Sequence, residues 1–172
     1  MTRLMVFLAA MMGASSAFGA PAGLLDKTVT MSWTTSGNSI RVGDGKPVSF
    51  SNVNTRVVYI SSAGRTFMRK EVKGRRNVRG RDFGPGEGSG RTSVRLEGNR
   101  LVGAEAFASG ARQFVATFDS GFSSCTLSVI DAKAGSAKIQ RKGPSGAMHV
   151  IDSVSSGSPS CSIQSGNAFA VR

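Results

Sequence analysis

The chain has 172 residues, with 22 Lys and Arg against 10 Asp and Glu, for a formal charge of +12. This length suits one domain able to bury roughly two-thirds of its unfolded surface, and 40% apolar with 19% charged residues excludes wholesale disorder. Gly at 22 and Ser at 25 exclude a long-helix or coiled-coil protein, which draws on Ala, Glu, Lys and Leu.

Met1 to Ala20 reads as a secretory signal peptide. Arg3 is its positive start, Leu4–Met12 its nine-residue apolar stretch, and small residues follow at Gly13–Ala17. The apolar stretch is too short for a membrane-spanning helix, which needs about 20 residues. Small residues at the recognition positions place the cut between residues 19 and 22. The expected product is a soluble periplasmic or secreted protein with one all-β domain over residues 24–172.

The dominant period in that domain is two. Val29, Met31 and Trp33 alternate with Thr28, Thr30 and Ser32, as in a half-buried strand. Strands are predicted at 47–53 and 55–61, and a turn at Ser62-Ala63-Gly64 leads into one at 65–72. A clearer hairpin joins 92–96 to 100–107 through Glu97-Gly98-Asn99. Further strands follow at 112–118 and 122–130, with shorter ones at 137–141, 148–154 and 160–164. Nine or ten strands with turns about every 8–12 residues imply an antiparallel barrel or sandwich. Sequential hairpins favour a single up-and-down β-barrel of lipocalin or avidin type; a β-sandwich is the alternative.

One segment departs from this pattern. From Arg65 to Arg81 there are eight basic residues and one acid, Glu71. A Gly-rich run, Phe83 to Gly90, follows, so residues 73–90 read as a long basic loop. Clustered cations attract polyanions, which makes Lys73, Arg75, Arg76, Arg79 and Arg81 the candidate anion-binding residues. Export argues against a nucleic-acid partner, and only Phe83 lies near to stack on bases. The expected partners are anionic lipid headgroups, lipopolysaccharide or acidic polysaccharide; the bland alternative is a solvated, solubilising loop.

Catalytic signatures are sparse. Neither a Gly-x-Ser-x-Gly elbow nor a Gly-x-x-x-x-Gly-Lys-[Ser/Thr] loop occurs. One His and two Cys fall short of the three or four ligands typical of a zinc site, so no metal or cofactor is expected. His149 is the one imidazole base, and a hydrolase built on it with a nearby Ser or Asp is a remote alternative. Glu105 shares a strand face with Leu101 and Phe107, and Asp152 shares one with Val150 and Val154. Turned inward they would form an acid pair or orient a ligand; strand-end positions in solvent are the simpler reading. Trp33, Phe50, Tyr59, Phe67, Phe114 and Phe118 would line a cavity in a calycin-like carrier, or simply fill a core. The leading expectation is a non-enzymatic binding protein.

In an oxidising compartment Cys125 and Cys161 are expected to pair, closing a 36-position loop worth about 3–4 kcal/mol. Gly121-Phe122-Ser123-Ser124-Cys125 and Ser160-Cys161-Ser162-Ile163-Gln164-Ser165-Gly166-Asn167-Ala168-Phe169 resemble a family of small exported proteins of unknown function from soil-dwelling α-proteobacteria. The segment Lys27–Trp33 is similar to that family's first strand. The resemblance implies an envelope or secreted location and paired cysteines, and it carries over no catalytic or binding residue.

Overall fold

The computed structural model describes residues 19–73, 78–83, 92–107, 110–133, 140–143 and 146–169, so the expected signal peptide lies almost wholly outside them. A short 3-10 turn, Ala22–Leu24, leads into ten strands: β1 (Lys27–Arg41), β2 (Pro47–Ile60), β3 (Thr66–Lys73), β4 (Val78–Phe83), β5 (Thr92–Glu97), β6 (Arg100–Phe107), β7 (Gly110–Phe118), β8 (Cys125–Lys133), β9 (Gln140–Lys142) and β10 (Met148–Ser165). They form two antiparallel sheets, one of order β4-β3-β2-β1-β10-β9 and one of order β5-β6-β7-β8.

The all-β expectation holds. The closed up-and-down barrel is not found: among the described residues the ladders stop at β4 and β9 in one sheet and at β5 and β8 in the other. The strand order is still that of an up-and-down barrel, with the first and last strands paired, but among the described residues no ladder joins β4 to β5 or β8 to β9. β1 takes β2 on one side and β10 on the other, over almost its whole length. The β5–β8 meander is left to form a sheet of its own.

Several strands are longer than the sequence suggests. The segments predicted at 47–53 and 55–61 are one strand, because Asn54 does not break it: its amide donates to Thr35 Oγ1 at 2.9 Å inside the protein. Those at 148–154 and 160–164 are likewise one strand carrying a bulge. The register steps from Ser32↔Ser160 to Thr34↔Gly157, which places Ser158 and Pro159 opposite Trp33 alone. A bulge tolerates a proline's missing N–H, and Ser158 takes the unusual φ of 50° there. Conversely, β8 starts at Cys125 rather than at residue 122. The Asp119 carboxylate holds the preceding turn, accepting from the backbone N–H groups of Ser123 (2.8 Å) and Ser124 (3.0 Å).

The expected long loop at 73–90 is also corrected. Residues 78–83 form β4, paired to β3 through Val72↔Val78, Glu71↔Arg79 and Met68↔Phe83, with a bulge that hides the alternation among its charges. Residues 74–77 and 84–91 lie outside the described residues, as do 134–139, at the start of another predicted strand.

The core lies between the sheets. Leu24, Val29, Met31, Val58, Ile60, Leu101, Phe114 and Ala116 are fully buried, and each larger apolar side chain among them contributes about 1.5–3 kcal/mol. Gly103 stands opposite Phe114, and a Cβ there would come within 2.0 Å of the Phe114 ring. That absence of a side chain lets Phe114 lie flat on β6 and stack on Trp33 across the sheets, with centroids 5.6 Å apart. The Cys125–Cys161 disulfide, Cα atoms 5.6 Å apart, ties the start of β8 to β10. It links the two sheets on a side where no ladder does.

Candidate functional site

Beyond Trp33 the space between the sheets changes character. On the inward face of β2, Ile60 and Val58 give way to Arg56 and Asn54; on β7, Phe118, Ala116 and Phe114 give way to Arg112. Arg56 grips Glu105 of β6 with two parallel bonds, Nε to Oε1 at 2.8 Å and a terminal nitrogen to Oε2 at 2.9 Å. Its remaining nitrogen donates to the Thr55 carbonyl at 2.9 Å. Lys70 of β3 adds a second cation, its Nζ 2.8 Å from Glu105 Oε1. Burial pushes the Glu105 carboxyl up, but the bonds and charges of Arg56 and Lys70 outweigh it and hold the group below the usual carboxylate range.

A second cluster adjoins the first. Arg112 donates to Asp131 Oδ1 at 2.7 Å and to Thr35 Oγ1 at 3.1 Å, while the Ser156 hydroxyl donates to the other oxygen of Asp131. Both guanidinium groups lie over the Trp33 ring, at 5.0 Å for Arg56 and 5.4 Å for Arg112. Trp33 thus joins two regimes, apolar through Phe114 and cationic through the arginines. Its own indole N–H is buried with no hydrogen-bond partner among the described residues.

The solvated strand-end reading holds for Asp152 but not for Glu105, and the alternative of an acid pair does not form either. Glu105 turns inward, 1% exposed, but it meets two cations, whereas Asp152 is exposed on β10. The second inward carboxylate is Asp131. The period-two reading carried a signal for this network: Arg56 keeps phase with Val58 and Ile60, and Arg112 with Phe114 and Phe118. A cation in phase with a buried stripe needs an internal anion. His149 is half-buried near the start of β10, and its Nδ1 lies 3.4 Å from Ser39 Oγ. Of the aromatic residues considered as cavity lining, Trp33, Phe114 and Phe118 are core, and Tyr59 and Phe67 pair with each other 6.0 Å apart. Phe50, opposite Gly37, borders a shallow open depression of about 510 Å³ lined by Ser36, Gly37, Asn38, Ser49, Ser51, Ser153 and Ser155.

Of the candidate anion-binding residues, Lys73 is exposed at the end of β3, opposite Val53 of β2. Arg79 and Arg81 lie on β4, the edge strand of the larger sheet, while Arg75 and Arg76 lie outside the described residues. Of the basic segment, residues 78–83 are therefore a strand at the sheet edge and not part of a free loop. Among the described residues, no group of three or more His, Cys, Asp or Glu side chains is placed to hold a metal ion, and no helix is long and apolar enough to cross a membrane. Compared with family models, curated proteins and solved structures, the chain matches none, so the resemblance to the exported α-proteobacterial family stands on its motifs alone.

Proposed function

We propose that the protein is an exported, non-enzymatic binding protein that engages anionic envelope material through the basic β3–β4 edge. The observation that carries the reading is the concentration of charge: the stretch from Arg65 to Arg81 supplies a net +7 of the chain's +12, its described part lies on and before β3 and β4 at one edge of the larger sheet, and Lys73 remains exposed there while Lys70 pairs with Glu105 and Arg69 is buried. An edge strand rich in cations repels other strands while attracting polyanions. Export is supported by the N-terminal pattern of Arg3 and Leu4–Met12 and by the Cys125–Cys161 disulfide, which suits an oxidising compartment. The two-sheet body is read as a sandwich-like scaffold, since no ladder joins β4 to β5 or β8 to β10 among the described residues.

The test is binding of the oxidised protein to lipopolysaccharide and to an acidic polysaccharide, titrated with salt. The control carries Gln in place of Lys73, Arg75, Arg76, Arg79 and Arg81. Affinity that persists near about 0.15 M salt and collapses in the control supports the reading. Equal binding by both proteins removes it.

A further inference from the structure

The larger sheet outruns the smaller one. β1, β2 and β10 have 15, 14 and 18 residues, against 6 in β5 and 9 in β7. The overhang ends in a tip formed by the β1–β2 turn and the start of β10, joined by the Val42 N–H donating to the Met148 carbonyl at 2.8 Å.

The large apolar side chains most exposed among the described residues are Ile40 (41%), Val42 (47%), Val53 (41%), Ile130 (57%) and Met148 (37%). Three of these five share the tip. The register widens the apolar ground there, since Ile40 faces Pro47 on one side and Val150 on the other. Cations surround it. Lys46 follows the turn and is exposed, and Lys142, also exposed, stands directly opposite Met148. Arg41 is held to Asp44 at 3.1 Å. β3 runs toward the same end and finishes with the exposed Lys73 beside the fourth exposed residue, Val53.

Scattered apolar residues on a surface need no explanation, but a protruding apolar tip with a cationic rim is complementary to an anionic bilayer. The apolar side chains enter the headgroup–acyl boundary while the cations meet the headgroups. A soluble polyanion would use the cations and gain nothing from Ile40, Val42 or Met148. The geometry points to an anionic phospholipid bilayer as the partner, with these three residues as the inserting tip. This assignment rests on the basic-edge reading, because a tip this small needs a second, electrostatic attachment for stable anchoring.

The test is co-sedimentation of the oxidised full chain with vesicles of phosphatidylglycerol and phosphatidylcholine, beside polygalacturonate as a soluble acidic polymer. The triple variant Ile40→Ser, Val42→Ser, Met148→Ser is expected to lose about tenfold or more in vesicle affinity near about 0.15 M salt, with polygalacturonate binding unchanged. A separate Val42→Trp reporter is expected to shift its emission to the blue with anionic vesicles and not with polygalacturonate; if the triple variant fails to fold, this reporter carries the test alone. Vesicle binding by the triple variant equal to that of the unsubstituted protein, or an unshifted Val42→Trp emission, overturns the assignment. Binding to polygalacturonate but not to vesicles overturns the bilayer and leaves the basic edge standing; binding to neither overturns both.

Discussion

The two ends of the inter-sheet space are built from different chemistry. At one end an apolar cluster that includes Leu24, Met31, Ile60, Leu101 and Phe118 packs with the Cys125–Cys161 bridge, with Lys27 at its margin donating to the Phe122 carbonyl at 3.0 Å. At the other end Arg56, Lys70, Glu105, Arg112 and Asp131 occupy the equivalent positions. An apolar end is stabilised by burial wherever its side chains fit. A charged end is stable only while every group keeps its partner, since each ion has given up water. The charged end also lies toward the overhang, the depression and the end of β3 at Lys73. The molecule is therefore polarised, with a cross-linked apolar base and a charged opposite end.

The comparison can be broken first at Glu105. Glu105→Ala strands two cations between the sheets and should cost about 3–5 kcal/mol in denaturant unfolding; a loss below about 1 kcal/mol would mean that the cluster is wet and weak. At the other end, replacing both cysteines with Ser should cost about 3–4 kcal/mol, read the same way. Gly103→Ala places a Cβ against the Phe114 ring and should cost about 1–3 kcal/mol while altering the near-ultraviolet signal of Trp33. Acid should act on the charged end. The Glu105 carboxyl is held below its ordinary value in the folded state, so its contribution is complete above the unfolded-state pKa of about 4.3 and is lost as pH falls through the folded-state value. Glu105→Gln should accordingly flatten the acid limb of the stability profile. The smallest effect is expected at the tip, where Val42→Ser should change stability by no more than about 0.5 kcal/mol.

Much of the scaffold was legible in the sequence. Alternation at Val29, Met31 and Trp33, the Glu97-Gly98-Asn99 turn with Gly98 at φ 59°, and the cysteine pair all reappear in the structure. The breaks in the ring of strands were not legible: the β1–β10 pairing is the one an up-and-down barrel implies, but among the described residues the ladder stops between β4 and β5 and between β8 and β9. β4 was missed because Arg79 and Arg81 dominate a six-residue strand whose apolar register partners, Val78 and Phe83, stand at its two ends. The charged network was half legible. Glu105 was noticed as a carboxylate in an apolar phase, but its partners lie 35 and 49 positions away on β3 and β2. The tip is invisible to periodicity, because Ile40 and Met148 read as ordinary strand residues until the register brings them together with Val42, with Ile40 on the sheet face turned away from Trp33.

Hydrogen exchange of the oxidised protein, with and without vesicles containing phosphatidylglycerol, tests this polarity most directly. The account predicts protection gained over residues 40–48, 66–83 and 148–150, with exchange around Cys125 and Cys161 unchanged. Protection centred on the disulfide end, or none at the tip and the basic hairpin, would contradict it.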